Sequence, residues 1–277
     1  MKKSILLFLV TMIMSCSSEE NEIPETETKV LVKVEQNQIF NGILSEKIIF
    51  EYKNNKPTLA SFYNENNELT YTSEWIYNSS GYLSSTKGSS TSNMNSNSET
   101  NIIYDNSNRI IQTIRSEDNN SGSTTTKFTY NNDNTITSES NSGSSVTNRV
   151  KTFVLNDNGI IDKEIVDGNI IVQVEYDNFK PKSKTAFSNK YTYTYLENGL
   201  LPATFQSLFG NNPINVVLFQ NSLNDSSDSL TTELISEISS NTSTEKYIYT
   251  LTSDNFPLMR KDYYNGELNN EISYYYE

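Results

Sequence analysis

The stretch Ile102-Ile103-Tyr104-Asp105-Asn106-Ser107-Asn108-Arg109-Ile110 decides the fold. Ile102 and Tyr104 stand two residues apart, the spacing that puts both side chains on one face of a strand. Asp105 to Asn108 is a run of turn formers, and Ile110 opens a new apolar segment. The stretch reads as strand, turn, strand.

The unit recurs along the chain. Phe50-Glu51-Tyr52 precedes Leu59, Trp75-Ile76-Tyr77 precedes Leu83, Phe128-Thr129-Tyr130 precedes Ile136, and Phe153-Val154-Leu155 precedes Ile161. In Val174-Glu175-Tyr176 the second half is interrupted by Lys180-Pro181-Lys182. Tyr193-Thr194-Tyr195 with Leu201, Tyr247-Ile248-Tyr249 with Leu258, and a truncated Ile272-Ser273-Tyr274 complete the series. The closing positions 52, 77, 104, 130, 155, 176, 195, 249 and 274 keep a period of about 25 residues. The wide gap between 195 and 249 spans about two periods, with Val216-Val217-Leu218-Phe219 as a degenerate copy inside it.

A period of that size holds two strands of roughly 7–10 residues and two turns, an antiparallel hairpin. One set of turns carries Asn78-Ser79-Ser80-Gly81, Asp157-Asn158-Gly159 and Glu197-Asn198-Gly199. The other carries Asp167-Gly168 and Asn265-Gly266, the dipeptides of type I′ hairpins. Helical spacing is confined to Leu230, Leu234 and Ile238, a segment that two short strands fit as well. One hairpin cannot bury its apolar face, so successive hairpins must pair edge to edge. The expected fold is all-β: a repetitive antiparallel hairpin meander curling into a large twisted sheet, open barrel or shell, with a sandwich as the other way to cover the aromatic face. A barrel embedded in lipid needs an apolar outer band about 25 Å tall. The second face of these strands is instead rich in Glu, Lys, Ser, Thr and Asn.

These units resemble the YD repeats of bacterial cell-surface and Rhs-type proteins and of Bacteroidetes lipoproteins. Tyr104-Asp105-Asn106-Ser107-Asn108-Arg109-Ile110 follows the Tyr-Asp-x-x-Gly-Arg-Leu pattern with Asn108 for the glycine. Tyr176-Asp177 keeps the dipeptide, and Tyr77-Asn78-Ser79-Ser80-Gly81-Tyr82-Leu83 has lost the Asp and Arg. The resemblance covers roughly residues 45–277 and implies a fold, not an activity.

The N-terminus supplies an address. Lys2 and Lys3 precede an apolar run from Ile5 to Met14, broken by Thr11 and too short to span a bilayer, which takes about 20 residues. Ile13-Met14-Ser15-Cys16 resembles the lipobox of bacterial lipoproteins, with Ile13 for the usual Leu. That resemblance implies cleavage before Cys16, a diacylglycerol on its sulfur and acylation of the new amine. Cys16 is the single cysteine of 277 residues, so the domain holds together by packing without an internal disulfide. Residues 1–15 are then the signal peptide, 16–28 a lipidated acidic tether and 29–277 the β domain. Glu19, Glu20 and Glu22 also resemble the surface-export signal of Bacteroidetes lipoproteins, which implies an outer-membrane protein facing outward. The other reading of that stretch is a solvated spacer with the domain in the periplasm.

There is no histidine, which removes His-based triads and His-ligated metals. The lone cysteine goes to the lipid, and the ten glycines are scattered through turns without a phosphate loop. Of 34 acidic residues none stands out as the paired carboxylates of a glycan-cleaving enzyme, which remains one alternative function. Asp118 to Gly122 and Asn224 to Asp228 offer oxygen ligands for calcium without the spacing of an EF-hand, and read as plain turns. Asp228-Ser229-Leu230 resembles the short O-glycosylation signal of Bacteroidetes. The formal charge of −13 becomes −15 once Lys2 and Lys3 are removed, which argues against nucleic acid and anionic lipid headgroups. No cofactor or metal is expected. Trp75 and the tyrosines form a candidate aromatic platform for an extracellular glycan or protein ligand. The expectation is a lipid-anchored surface module, structural or binding, with no catalysis; the alternative at the same address is a periplasm-facing lipoprotein of envelope assembly.

Overall fold

In a computed structural model, described over residues 29–91, 97–118, 122–142 and 145–277, the repeat becomes a ladder of strands. The strands are β1 (Leu31–Phe40), β2 (Ile43–Lys53), β3 (Lys56–Asn64), β4 (Leu69–Tyr77), β5 (Leu83–Ser90) and β6 (Ser98–Tyr104). Then come β7 (Ile110–Glu117), β8 (Ser123–Tyr130), β9 (Thr135–Ser142), β10 (Ser145–Leu155), β11 (Ile161–Val166) and β12 (Asn169–Asp177). The last are β13 (Lys180–Ala186), β14 (Asn189–Leu200), β15 (Glu233–Ser240), β16 (Thr244–Leu251), β17 (Pro257–Tyr264) and β18 (Glu267–Tyr276). Each pairs antiparallel with the next, and β18 pairs back onto β1, so the 18-stranded meander closes into a barrel. Closure removes the two raw edges that an open sheet of this width would expose. The signal peptide, Cys16 and the tether lie outside the described residues.

The barrel has two unlike ends. At one lie the short turns 41–42, 65–68, 167–168, 187–188, 241–243 and 265–266; this end is the mouth. At the other lie the turns 78–82, 105–109, 131–134, 156–160 and 252–256, together with both ends of the described chain. Val30 exchanges hydrogen bonds of 3.1 and 3.0 Å with Glu277, and Lys29 pairs with Asp254 at 2.8 Å.

The second end is stoppered. After β14 the chain leaves the wall, turns inside and rejoins it at β15. This plug holds a 3₁₀ turn Phe205–Phe209, helices α1 (Pro213–Gln220) and α2 (Leu223–Ser226), and a 3₁₀ turn Ser227–Leu230. Leu208, Phe209, Val216, Val217, Leu218 and Leu223 are buried against one inward residue after another, from Leu83, Ile110 and Ile136 to Phe153, Ile161 and Val172. Across the lumen, Ala203 joins the second apolar cluster of Leu31, Val34 and Ile272. The plug therefore reaches both walls.

The chain departs locally from the repeat at three places. Val216-Val217-Leu218-Phe219 is not a degenerate repeat copy but the middle of α1, buried on several sides. A fully apolar run carries no period that would separate strand from helix. What makes it helical is its start: Pro213 occupies the first turn, and the Asn212 side chain accepts hydrogen bonds from the Ile214 and Asn215 amides. Glu197-Asn198-Gly199 is not a turn; it lies within β14, where Asn198 takes φ 61° and the pairing with β15 is irregular. Leu230 ends a 3₁₀ turn, whereas Leu234 and Ile238 belong to β15, so the helical spacing straddles a boundary.

Six of the unit-closing tyrosines face inward at the plugged end with their hydroxyls on the wall, and in β18 that place is taken by Tyr276 rather than the expected Tyr274. Tyr77 donates to the Pro57 carbonyl at 2.7 Å, Tyr104 to Leu83 at 2.6 Å and Tyr130 to Ile110 at 3.0 Å. Tyr176 donates to Ile161, Tyr195 to Pro181, Tyr249 to Ile235 and Tyr276 to Pro257 in the same way. Each hydroxyl ties the turn of one unit to the unit before it, and burial pushes all of these phenols well above their ordinary pKa.

The outer wall carries charge at mid-strand. Lys47 pairs with Glu35 at 3.6 Å, Lys87 with Glu99 at 3.8 Å, Lys246 with Glu237 at 3.8 Å and Lys261 with Glu271 at 2.7 Å. Ile76, Ile103 and Ile248 also point outward, but Glu51, Thr129, Glu175 and Thr194 hold the equivalent places in other units. A lysine at the midplane of a lipid-facing barrel costs about 2–4 kcal/mol. These charges differ from the continuous apolar band of a lipid-facing barrel.

Candidate functional site

At the mouth the ladder opens between β1 and β18. Pairing between β1 and β18 ends at Gln38 and Asn270, yet each strand continues with its other neighbour. β1 runs on to Phe40 opposite Ile43 of β2, and β18 begins earlier, with Glu267 opposite Tyr264 of β17. The two hairpin tips splay apart and leave a cleft of about 870 Å³ between them.

Local sequence produces the splay. Asn41 and Gly42 take φ 52° and 75°, and Asn265 and Gly266 take 50° and 90°, so both hairpins close on two-residue left-handed turns. Directly below each tip the register slips, between Gln38 and Ile39 against β2, and between Asp262 and Tyr263 against β18. A bulge bends its strand and redirects the residues beyond it. Here two bulges face the same gap.

Polar groups line the floor. The Arg260 guanidinium grips Asp262 with two bonds, Nε to Oδ1 at 2.7 Å and a terminal nitrogen to Oδ2 at 2.9 Å. Asn270 donates to Asp262 Oδ2 at 3.2 Å, and Gln36 donates to Asn270 Oδ1 at 3.4 Å. That chain fixes the orientation of the floor. Above it, the side-chain amides of Gln38, Asn41 and Asn269 and the hydroxyl of Tyr264 make no hydrogen bond among the described residues, while the Ser45 hydroxyl donates to the Gln38 carbonyl at 3.2 Å. Phe40 stands 70% exposed and Tyr264 44% exposed at the two sides of the cleft.

The residues singled out from sequence fall elsewhere. Trp75 faces the plug, 6.4 Å ring to ring from Phe50, and with Ala203, Phe205 and Leu208 it borders a small internal gap, so it serves packing. The proposed calcium turn 118–122 is only partly described, since 119–121 lie outside the described residues. In the second, Asp228 binds the Lys184 ammonium at 3.4 Å and accepts the Tyr193 hydroxyl, which fastens the plug to β13 and β14. Leu230 of the glycosylation-like tripeptide is 2% exposed. Among the described residues no group of three or more acidic or cysteine side chains gathers as metal ligands. Of the buried carboxylates, Glu164 is committed to Lys151 at 2.8 Å and to the Leu223 amide, and Asp262 to Arg260, whereas Asp162 keeps its Oδ1 buried without a hydrogen bond among the described residues. Gln36, Gln38 and Phe40 are not marked by the repeat because β1 precedes its first recognisable copy, and Asn269 and Asn270 because the pattern does not record where pairing between the first and last strands stops. The signal that marks them is Asn41-Gly42, a hairpin dipeptide of the same kind as Asn265-Gly266.

No protein-family model matches this chain, and no curated protein matches it. Among solved structures it is similar to a porin-like protein from Bacteroides uniformis ATCC 8492, at 16% identity and a TM-score of 0.48, over 89% of this chain and 96% of that one. A porin-like protein from Bacteroides vulgatus ATCC 8482 is similar at 14% identity and a TM-score of 0.41, over 90% and 99% of the two chains.

Proposed function

We propose that the chain is a lipid-anchored envelope barrel, related to the YD-repeat lipoproteins, that acts without catalysis and presents its mouth to partners outside the outer membrane. The observation that carries this reading is where the tether leaves the barrel. Lys29 and Val30 sit at the plugged end, beside Glu277 and Asp254, opposite the mouth. Acyl chains on Cys16 would hold the plugged end toward the bilayer, with residues 16–28 reaching at most about 45 Å when extended. The charged outer wall keeps the barrel in water, so the lipid is its attachment and the mouth is its free end.

The plug argues for a container wall rather than a conduit. It fills the lumen with apolar contacts to both sides and is fastened by Glu164 to the Leu223 amide, by Lys151 to the Asn221 carbonyl and by Lys184 to Asp228. A module of this build binds at its rim.

The test is to express wild type and Cys16→Ala in a native-like host and treat intact cells with protease. Release of the variant from the membrane fraction, with wild type digested from outside, is the expected result. A variant that stays membrane-bound overturns the anchor, and a wild type that anchors but resists digestion places the domain in the periplasm.

A further inference from the structure

We infer that the cleft between the β1–β2 and β17–β18 hairpins binds neutral oligosaccharides, an inference that rests on reading the mouth as the partner-facing end. The lining chemistry selects the ligand. Sugars present rows of hydroxyls that donate and accept, and apolar C–H faces. Gln38, Asn41 and Asn269 offer planar amides that also donate and accept, and the Tyr264 and Ser45 hydroxyls do the same. Phe40 and Tyr264 supply exposed rings on which a sugar face can stack.

Charge narrows the class. Glu267 is the one ionisable acid on the lining and no lysine or arginine is among it, so nothing there would neutralise a sulfate, uronate or phosphate. Arg260 lies below the floor with its fork already engaged by Asp262. Shape argues against a peptide added as a strand. The unpaired edges are Ile39 to Phe40 on one side and Glu267 to Asn269 on the other, too short for a ladder. A cleft of 870 Å³ lies within the usual range of ligand sites, about 300–1,000 Å³, and takes several sugar rings. The floor is also pre-organised, since the Gln36–Asn270–Asp262–Arg260 chain fixes the groups beneath the free amides.

The experiment is isothermal titration of the purified full-length chain with neutral oligosaccharides of gluco, manno, galacto and xylo configuration, and with uronate and sulfated counterparts. Binding of at least one neutral oligosaccharide at micromolar to millimolar concentration is expected, weakened about tenfold or more in Phe40→Ala and again in Gln38→Ala. Asn269→Ala is a second, exposed probe of the same cleft. Phe187→Ala, at the β13–β14 tip and 75% exposed, is expected to bind like wild type. No binding of any neutral oligosaccharide overturns the inference, as does binding that survives in the Gln38→Ala/Phe40→Ala double variant, or a preference for the acidic sugars. The outcome is independent of membrane attachment, so its failure is distinguishable from failure of the anchored-barrel reading.

Discussion

Asn108 takes φ 58°, and Gly81, Asn134, Gly159 and Asn255 adopt the same left-handed conformation in the equivalent turns of the plugged end. In four of these five turns the side chain at the head of the turn accepts amides of the returning chain, Thr252 serving in the last. Asp105 Oδ1 accepts the Ser107 and Arg109 amides at 2.9 Å, Asn78 accepts those of Ser80 and Tyr82, and Asn156 those of Asn158 and Ile160. Burial pushes the Asp105 carboxyl up, but the backbone and side-chain bonds from Arg109 and the Ser107 amide outweigh it and hold the group below the usual carboxylate range. The Tyr-Asp-x-x-Gly pattern thus has a physical content: an acceptor that caps the turn, and a residue that tolerates positive φ three places on. Gly159 isolates the second requirement, because a Cβ there would meet nothing within 4 Å. Gly159→Ala is expected to lower the urea-unfolding free energy by about 1–2 kcal/mol through backbone strain alone, while Asn108→Gly, which keeps its carbonyl contact to Asn215, leaves it unchanged or higher. An alanine at 159 with no measurable cost would sink the argument.

At the scale of elements, the strand pairs were legible because each announces itself twice, by inward alternation and by turn chemistry. Asp167-Gly168 and Asn265-Gly266 both take positive φ at each central residue, as their sequence requires. The plug was not legible. Its run Ile214 to Phe219 is apolar without a period, and the partners that bury it come from strands distant in sequence, such as Ile110 and Ile161. The cleft at the mouth escaped for a related reason: it is made by where pairing stops between the first and last strands, and no local pattern records the end of a contact between residues 38 and 270. Two elements can be tested directly. Tyr104→Phe removes one hydroxyl from the inner ring and should cost about 0.5–1.5 kcal/mol, whereas Tyr104→Ala, which also opens a gap beside Leu83 and Ile110, should cost about 3–5 kcal/mol. Equal costs would mean that packing at Tyr104 is negligible. For the plug, Asn215 is fully buried, accepts the Ile110 amide at 3.0 Å and donates to the Asn108 carbonyl at 2.9 Å. Asn215→Ala orphans both groups at about 1–3 kcal/mol. Hydrogen exchange should then quicken in α1 and at Ile110 while the β15–β18 amides stay protected; uniform acceleration would show that plug and wall do not open separately.

For the whole molecule, the decisive feature is that an apolar inside and a charged outside are joined by a ring of phenols. Inner apolar residues meet the plug, outer ion pairs meet water, and neither surface suits the reverse arrangement of a water-filled channel in lipid. The ring makes a property of the entire barrel out of one side-chain type. Burial raises the pKa of Tyr52, Tyr77, Tyr104, Tyr130, Tyr176, Tyr195, Tyr249 and Tyr276 above the ordinary value of about 10. A group whose pKa is higher folded than unfolded contributes stability that is complete below the unfolded value and is lost as pH rises toward the folded one. Above pH about 10 the unfolded chain sheds these protons and the folded barrel keeps them, so stability falls by up to about 1.4 kcal/mol per pH unit for each such phenol. With several acting together, the few kcal/mol that hold a domain are exhausted soon after the unfolded value is passed. The expected result is a single cooperative transition, between pH about 10 and 12, in which phenolate absorbance rises as the β circular dichroism collapses. Replacing Tyr104 and Tyr130 together by Phe should make the loss of stability per pH unit shallower, even though the variant begins less stable at neutral pH. Phenolate absorbance that reaches its full amplitude, beyond the share of the exposed tyrosines, with the circular dichroism intact would mean that solvent reaches the ring in the native state, and that the hydroxyls do not join the units.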